Sequence, residues 1–241
     1  MNIDIADITN QGNRNINEDC IGYDSLGGSF CFVVCDGLGG MGRGDEASKC
    51  VVESVLGYYR EVSDCFDMDV AFVRAQERLL SLQRDNNATK QMKTTAVILF
   101  IKDETACFGH IGDSRLYYFH GDGYIRTLDH SIPQMLVQSG ELNEADIRFH
   151  RDRNKLVRVM GNAWGDTNAY TVMRNVMIEE NGAFLLCTDG FWELIDENHM
   201  VKAFRKSRSS KRWISLMKKQ VIRNGKNRNM DNYSAIAIRF S

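Results

Sequence analysis

Two turns composed almost entirely of glycine limit how this chain can fold. Gly27-Gly28 joins the apolar segments 20–25 and 29–35, and Gly121-Asp122-Gly123 joins a second pair of such segments. Parallel strands need a crossover of about a dozen residues or more, which neither turn can hold. Each turn therefore predicts an antiparallel hairpin.

Ten segments carry the β-branched and aromatic residues typical of strands, and most are bounded by Gly, Asp or Asn. They are residues 3–9, 20–25, 29–35, 94–102, 105–111, 115–120, 124–128, 170–176, 183–188 and 233–239. Apolar residues at helical spacing predict three longer helices, over 47–58, 68–82 and 210–224, and two shorter ones, over 133–139 and 144–149. Because the helices are set apart from runs of antiparallel strands, we predict an α+β fold.

The chain has 241 residues, one proline and no Gly/Ser-rich linker, so we predict a single domain over residues 1–241. Its 7 cysteines form no Cys-x-x-Cys pair and lie mostly in apolar runs, which indicates reduced thiols in a cytoplasmic protein. We expect no membrane association, because no apolar run approaches the ~18 residues of a membrane span and no signal peptide is evident. We also expect a monomer.

Charge is distributed unevenly along the chain. Residues 202–228 contain 11 Lys or Arg and no Asp or Glu, whereas 19 basic residues face 32 acidic ones in the remainder, a net charge of −13. A basic block can bind acidic partners or nucleic acid, or it can be the solvated face of a helix. We favour the solvated face, and we expect no nucleic-acid binding because base-reading motifs and interleaved exposed aromatics are not evident.

Carboxylates recur at the ends of the predicted strands. The segments FCFVVCDG at 30–37 and AFLLCTDG at 183–190 both end in Asp-Gly, and Glu18-Asp19, Asp113 and Asp231 lie beside other strands. An isolated buried carboxylate costs several kcal/mol, and a bound cation removes that cost. Oxygen ligands without His or Cys clusters favour Mg²⁺, Mn²⁺ or Ca²⁺. A single Asp-Gly is usually turn chemistry, but the repetition predicts a metal site, with glycine allowing a sharp turn and close approach of a ligand.

The chain resembles the type 2C (PPM) metal-dependent protein serine/threonine phosphatases, and specifically their stand-alone bacterial members. The matching segments occur in the family's order and cover nearly the whole chain: GNRNINED at 12–19, VCDGLGGMGRGDEAS at 34–48, Thr94-Thr95, GHIGDSRLY at 109–117, LDHS at 128–131, residues 154–161, LCTDG at 186–190 and DNYS at 231–234. The resemblance implies a central antiparallel β-sandwich flanked by helix pairs, in four α-β-β-α layers, with the active site at one end of the sandwich.

The same resemblance implies a core site for two Mn²⁺ or Mg²⁺ ions. Asp36 would bridge the ions, and Gly37 would offer its backbone carbonyl oxygen to one of them. Asp189 and Asp231 would hold one ion, and Asp19 would bind the other chiefly through water.

Three further residues match less central positions of the family's site. Glu18 would lie in the first or second shell of ligands, and Asp113, together with Asp189, would bind a third, weaker ion. Arg14 would hold the phosphate oxygens of the substrate in bidentate fashion, which suits a guanidinium better than an ammonium group.

The chemistry implied is hydrolysis of phosphoserine and phosphothreonine in proteins, by in-line attack of a metal-bridging hydroxide and without a phosphoenzyme. Phosphorylated proteins would be the substrates, and a eukaryotic-like Ser/Thr kinase would be the opposing enzyme. No Cys is followed six positions later by Arg, so the nucleophilic Cys-x5-Arg loop of other phosphatases is absent. We interpret Asp67 in Asp-Met-Asp as part of a helix N-terminus.

The chain departs from the family at two positions where many members carry a histidine that can act as general acid. Leu38 and Met41 occupy those positions. Two alternatives to a general phosphatase therefore stay open: a catalytically weak phosphoprotein-binding relative, and a regulatory phosphatase with one dedicated partner. For His110 and His130 we favour a structural role over a hydrogen bond near the site.

The segment 131–167 resembles the variable flap that lies beside the cleft in this family. Five cations make it basic, as expected for a segment that contacts phosphorylated peptides, although solvated charges would give the same pattern: Arg148, Arg151, Arg153, Lys155 and Arg158.

Overall fold

The alternation of apolar side chains builds two five-stranded antiparallel sheets. The computed structural model describes residues 2–121, 123–165 and 169–240. One sheet has the strand order β1-β10-β9-β6-β7 and the other β2-β3-β4-β5-β8. The strands are β1 Ile3–Asn10, β2 Asp19–Leu26, β3 Ser29–Asp36, β4 Ala96–Lys102, β5 Thr105–Ile111, β6 Arg115–His120, β7 Gly123–Arg126, β8 Thr171–Met177, β9 Ala183–Cys187 and β10 Tyr233–Phe240.

Six helices accompany the sheets. They are α1 Gly44–Val62, α2 Met68–Asp85, α3 Ile132–Gln138, α4 Asp189–Trp192, α5 Glu197–Arg205 and α6 Ser210–Gly225. Single 3₁₀ turns occur at Gly39–Met41, Ser63–Cys65 and Glu144–Phe149. Asp67 caps α2, because its carboxylate accepts a hydrogen bond from the N–H of Val70 at 2.9 Å, as the sequence predicted. None of the helices in the described ranges has the length and apolar character needed to cross a membrane.

The strands separate three hydrophobic cores, because successive side chains point to opposite faces. Between the sheets, Phe32 and Val34 of β3 pack in one cluster with Leu186 of β9 and Ile236 of β10. The alternate residues of β3 and β4 face α1 and α2, whereas those of β9 and β10 face α4, α5 and α6. The layer order is therefore helices, sheet, sheet, helices, which confirms the predicted α+β sandwich, although the second helical layer contains α4, α5 and α6 where a pair was predicted.

All ten predicted strands are present, with boundaries that differ by a few residues. Gly27 and Gly28 connect β2 to β3 with φ of 61° and 85°, as a tight hairpin requires. The second glycine turn connects β6 to β7, although Asp122 lies outside the described residues. β4 begins only at Ala96, because Thr94 instead forms isolated bridges to Gly37 and Met160.

The sequence analysis missed α4 and α5, which are short. Met200, Ala203 and Phe204 of α5 are buried at spacings typical of a helix, but a nine-residue helix offers little more than two turns of that pattern. All seven cysteines are free, in agreement with the predicted thiols. Cys31, Cys35 and Cys187 are buried, whereas Cys107 is half-buried and Cys65 is exposed.

Candidate metal centre

The carboxylates predicted to bind metal come together at one end of the sandwich. Asp36 is the last residue of β3 and lies opposite Asp19, the first residue of β2. Asp189, the first residue of α4, is separated from β9 by Thr188 alone, and Asp231 precedes β10. Because β9 and β10 are antiparallel neighbours, the end of one and the start of the other lie at the same edge of their sheet.

Asp36 lies at the centre of this group. Burial raises its pKa well above the ordinary value, and the nearby charges of Asp189, Asp19 and Asp113 raise it further. The pKa of Asp189 is raised by burial and by Asp231. Four like charges this close repel one another, and a cation between them would relieve the repulsion.

Asp19 is buried and only partly hydrogen-bonded. Its Oδ2 accepts a hydrogen bond from the hydroxyl of Thr188 at 2.9 Å, whereas its Oδ1 is buried and has no partner among the residues that the structure describes. Burial raises the pKa of Asp19 to about 7. An unpartnered buried carboxylate oxygen is costly, and a ligand bound nearby is one way to satisfy it.

Asp113 occupies a turn after β5 that the protein holds firmly. Gly112 has φ +98° and its Cα lies close to Thr95, so a side chain at this position would be strained. The indole N–H of Trp192 donates to the carbonyl oxygen of Asp113 at 3.0 Å. Burial, followed by the charge of Asp189, raises the pKa of Asp113 well above its usual range.

Glu193 is a member of this region that the sequence analysis missed. It forms an ion pair with Arg153 of the flap at 2.8 Å. Burial and the charge of Asp189 raise its pKa to about 7, against the opposing effect of Arg153. The sequence could have indicated this residue, because Glu193 follows Asp189 by four residues and therefore lies on the same side of a helical turn.

Arg14 reaches the site from an exposed loop. Its Nη2 donates to Oδ2 of Asp231 at 2.7 Å, and both side chains are well exposed. This ion pair raises the pKa of Arg14. Among the described residues, Nε and Nη1 of Arg14 have no protein acceptor, so they can hydrogen-bond to a ligand in the cleft.

The two Asp-Gly glycines are not required by the sharp turn that the sequence predicted for them. Neither Gly37 nor Gly190 has a positive φ, so neither is needed for a left-handed turn. A Cβ on Gly37 would lie 2.3 Å from the carbonyl oxygen of Gly44, and one on Gly190 would lie 2.0 Å from that of Asn232. Both positions are glycine because another backbone segment packs directly against them.

Glu18 points into the glycine-rich loop before α1. A Cβ on Gly39 would lie 1.7 Å from Oε2 of Glu18, so the carboxylate is packed against that backbone. Burial raises the pKa of Glu18, while a hydrogen bond from the Gly44 backbone lowers it. The carboxylate thus sits at the start of α1, where the N-terminal N–H groups favour negative charge.

Asn232 holds the loop that carries Arg14 and Glu18. Its Oδ1 accepts from the N–H of Glu18 at 2.8 Å, and its Nδ2 donates to the carbonyl oxygens of Gln11 and Ile16 at 2.9 and 3.0 Å. The sequence placed Asn232 in a matching segment without giving it a role. We infer that it positions this loop.

The threonine pair after the second helix holds the backbone of Asp36. The hydroxyl of Thr94 and the N–H of Thr95 both donate to the carbonyl oxygen of Asp36, at 2.8 and 2.9 Å. The N–H of Asp36 in turn donates to the hydroxyl of Thr95 at 3.0 Å. The central carboxylate is therefore fixed by its own main chain as well as by its strand.

The basic residues of the flap segment differ in environment. Arg148 is largely buried, pairs with Glu197 at 2.6 Å and donates to the carbonyl oxygens of Trp192 and Ile195, so its role is structural. Arg151 and Lys155 lie beside Asp152, and Arg158 is exposed. Only Arg153, through Glu193, is linked to the carboxylate group. Residues 166 and 167 of the segment lie outside the described ranges.

His110 and His130 have the structural role that the sequence favoured. Their rings stack with centroids 4.6 Å apart. Nδ1 of His130 accepts a hydrogen bond from the N–H of Gly112 at 3.2 Å, which requires that nitrogen to be unprotonated. Burial, followed by the adjacent ring of His110, lowers the pKa of His130 to about 3.

The chemistry of these donors fits a hard divalent cation. The side chains are carboxylates, their pKa values are raised by burial and mutual repulsion, and one buried oxygen has no partner. Within the part of the chain that is described, no three acidic, His or Cys side chains already converge on a common point as ligands of one ion. Arg14 forms an ion pair with the carboxylate of Asp231, and breaking this ion pair would free Asp231 to act as a ligand.

At position 38, one of the two positions where the family resemblance predicts a histidine, the side chain is apolar. Leu38 is half-buried and its N–H donates to the carbonyl oxygen of Lys93 at 2.9 Å. The side chain of Met41 lies outside what the structure describes. Leu38 therefore offers no proton to a leaving group.

Known proteins share both the sequence pattern and the fold. The serine/threonine phosphatase stp of Listeria welshimeri is 28% identical over 212 residues, covering 81% of this chain and 80% of that protein. The crystal structure of the serine/threonine phosphatase Stp1 from Staphylococcus aureus superposes with a TM-score of 0.86 at 22% identity, covering 100% of this chain and 96% of that one. The catalytic domain of the phosphatase PstP, solved with 2 manganese ions, gives a TM-score of 0.79 at 19% identity, covering 98% and 97%.

The sequence pattern of a whole family also matches. The Protein phosphatase 2C model aligns with residues 9–230, a range that contains Arg14, Asp36, Asp113 and Asp189 but ends just before Asp231. Since this match covers far more than half of the 241 residues, the chain belongs to the protein phosphatase 2C family.

Proposed function

We propose that this protein hydrolyses phosphoserine and phosphothreonine in proteins, with Mn²⁺ or Mg²⁺ bound at the carboxylate group. The observation that carries the proposal is the grouping of Asp19, Asp36, Asp113 and Asp189, all with raised pKa values, at one end of the sandwich. Carboxylates are kept in such a costly arrangement when a cation compensates for it. The names of the relatives, serine/threonine phosphatases, support the substrate class.

The core site would hold two ions. Asp36 would contact both, helped by the carbonyl oxygen of Gly37, with Asp189 and Asp231 on one side and Asp19 on the other. Asp113 would hold a third ion together with Asp189, and Glu18 would act through water. The 2 manganese ions of the PstP structure support two ions in the core site. When bound, such ions offset negative charge on a phosphate ester and activate water as a nucleophile.

Arg14 would orient the substrate phosphate. Its Nε and Nη1 are available for phosphate oxygens, and Nη2 would join them once Asp231 turns to a metal ion. A guanidinium can contact two oxygens at once, which fixes the orientation of the phosphorus for attack from the opposite side. Because Leu38 cannot supply a proton, we assign the proton that the leaving serine or threonine oxygen takes up to a water molecule at the site.

The direct test is phosphate release from a phosphothreonine peptide with Mn²⁺, with Mg²⁺ and with EDTA. Asp36→Asn and Asp189→Asn should each lower metal-dependent release by more than about 100-fold, because changes even behind the ligands of a metal cost 10–100-fold. Asp67→Asn is the matched control, since Asp67 caps α2 and Asn is an equally good cap. Unchanged release in both site variants would refute the assignment of the centre.

The same assay separates the alternatives. A folded, metal-loaded protein that binds the phosphopeptide without releasing phosphate would be a phosphoprotein-binding relative, with Leu38 the first residue to examine. A protein that acts on one phosphoprotein from a panel would be a dedicated regulatory phosphatase. No contact in the structure favours either alternative over a general phosphatase.

We further propose a monomeric, single-domain cytoplasmic enzyme opposed by a eukaryotic-like Ser/Thr kinase. Seven unpaired cysteines, of which Cys65 is exposed, support a reducing compartment. Light scattering of the purified protein would test the monomer. Phosphoproteomics of cells that lack this protein would test the kinase, since substrates shared with one kinase should gain phosphate.

A further inference from the structure

One face of α6 is covered with unpaired positive charge. Lys211, Arg212, Lys218, Lys219 and Arg223 are all exposed, and no acidic residue occurs anywhere in 202–228. We call these five residues the α6 basic face. Over the described parts of the chain, none of the five forms an ion pair.

Other cations of the molecule do have acidic partners. On the opposite helix layer, Arg60 pairs with Asp24 and Arg74 pairs with Glu61, each at 2.6 Å. On α6, by contrast, Lys219 and Arg223 are neighbours at i, i+4, an arrangement of like charges that destabilises a helix. The charge of this face is therefore not neutralised within the protein.

The α6 basic face leads to the candidate active site. Gly225, at the end of α6, packs against the side chain of Met230, since a Cβ there would lie 2.3 Å from the sulfur. The N–H of Asn13 donates to the carbonyl oxygen of Met230 at 2.9 Å, and the N–H of Met230 donates to Oδ1 of Asn13 at 3.0 Å. Asn13 and Met230 are the chain neighbours of Arg14 and Asp231, whose ion pair lies in the cleft.

We propose that the α6 basic face binds an acidic stretch of the phosphoprotein substrate while the phosphorylated residue occupies the cleft. The inference rests on the proposed phosphatase activity and narrows its substrates to phosphosites with acidic residues nearby. From Lys211 to Arg223 the helix spans roughly 18 Å, which an extended peptide covers with about six residues. Unneutralised positive charge attracts such a segment and raises the rate of encounter.

The test compares three phosphothreonine peptides in the presence of Mn²⁺. One carries six Glu residues on the N-terminal side of the phosphosite, one carries them on the C-terminal side, and one carries Gln in their place. The altered enzyme has Lys218→Glu, Lys219→Glu and Arg223→Glu together, and a second version has Gln at the same positions. The matched control has Lys49→Glu, Arg78→Glu and Arg84→Glu, three exposed positions on α1 and α2.

For the unaltered protein, we expect the KM of one acidic peptide to be about tenfold below that of the Gln peptide at low salt, since several exposed charge pairs each contribute modestly. High salt should remove this advantage. Both α6 variants should lose this lower KM for the acidic peptide, while their kcat and their KM for the Gln peptide stay unchanged. The α1–α2 control should retain the lower KM for the acidic peptide.

Several outcomes would overturn the proposal. Equal KM values for the acidic and Gln peptides would refute the docking surface and leave the phosphatase assignment intact. If no peptide releases phosphate, the proposed function is refuted. Fluorescence anisotropy of the labelled acidic peptides then tests, independently of activity, whether the α6 basic face binds them. A face that binds RNA or a second copy of this chain, but neither acidic peptide, would be an interaction surface of another kind.

Discussion

At the scale of single residues, stability and chemistry conflict most directly at Asp36. Its carboxylate is surrounded by those of Asp189, Asp19 and Asp113, and its pKa is well above the ordinary value. Folding therefore disfavours the ionised form that a cation would require. Above the ordinary pKa of Asp, this carboxylate costs the metal-free protein stability, and the cost grows as pH rises toward the higher folded pKa.

The amide of Asn at this position should make the metal-free protein more stable. We expect Asp36→Asn to raise the free energy of unfolding in EDTA at pH 7.5 by about 1–3 kcal/mol, because it removes one buried charge and can donate to a neighbouring carboxylate. Thermal unfolding with EDTA measures this directly. A lower melting temperature than that of the unaltered protein would contradict the electrostatic account.

The stacked histidines give the protein a second pH dependence. The pKa of His130 is lowered to about 3, against an ordinary value near 6.5, so the unfolded chain binds its proton first as pH falls. The contribution of the neutral ring is therefore complete above pH ~6.5 and is lost progressively toward pH ~3, at no more than about 1.4 kcal/mol per pH unit.

His130→Gln tests this contribution, because Gln can keep an acceptor for the N–H of Gly112 but does not titrate. Between pH 6.5 and 4.5, its unfolding free energy should fall less steeply than that of the unaltered protein, as measured by urea denaturation. Parallel slopes would show that His130 is not protonated on unfolding in this range.

At the scale of elements, the sequence predicted every strand but not the reason for its glycines. The strands were visible because their own composition and alternation produce them. Gly37 and Gly190 were attributed to sharp turns and to the approach of a ligand, whereas each lies against another backbone segment, that of residue 44 for Gly37 and that of residue 232 for Gly190. A local sequence pattern cannot predict such a contact.

Gly190→Ala should consequently be among the most damaging small substitutions. The added Cβ would lie 2.0 Å from the carbonyl oxygen of Asn232 and displace the backbone beside Asp231. We expect a loss of about 2–4 kcal/mol of stability together with most of the activity. Thermal unfolding and phosphate release measure the two effects.

Gly57→Ala is its control, since Gly57 lies inside α1 and a Cβ there meets nothing within 4 Å. Alanine is the better helix former by about 1 kcal/mol, so this variant should gain stability and keep its activity. Equal behaviour of the two variants would refute the role of close backbone packing at Gly190.

At the scale of the whole molecule, the candidate site is assembled from parts of the chain that no local pattern connects. The recurrence of carboxylates at strand ends grouped Asp19, Asp36, Asp189 and Asp231 as a predicted metal site, but only the resemblance to a family gave each of them a separate role. Glu193 and Asn232 were missed because their functions depend on tertiary neighbours, Asp189 for one and the Arg14 loop for the other. The flap cation Arg148 was assigned to the surface, although a buried ion pair with Glu197 holds it.

Metal binding should stabilise the entire fold, because the candidate ligands come from both sheets. At a Mn²⁺ concentration of 100 times its Kd, the expected gain is about 2.7 kcal/mol. For a chain of this length that corresponds to a rise in melting temperature of roughly 5–10 °C. Asp189→Asn should show little or no rise, whereas the Asp67→Asn control should show the full one.

The position of β10 has a consequence for biosynthesis. β10 lies between β1 and β9, and all eight residues of β1 pair with it, from Ile3 with Phe240 to Asn10 with Tyr233. A ribosome therefore makes β1 first but must add more than 220 further residues before its partner exists. The chain that emerges earlier lacks both the middle of one sheet and Asp231. We therefore expect a translation product that ends before β10 to remove no phosphate from proteins, so that activity begins only after β10 has been synthesised.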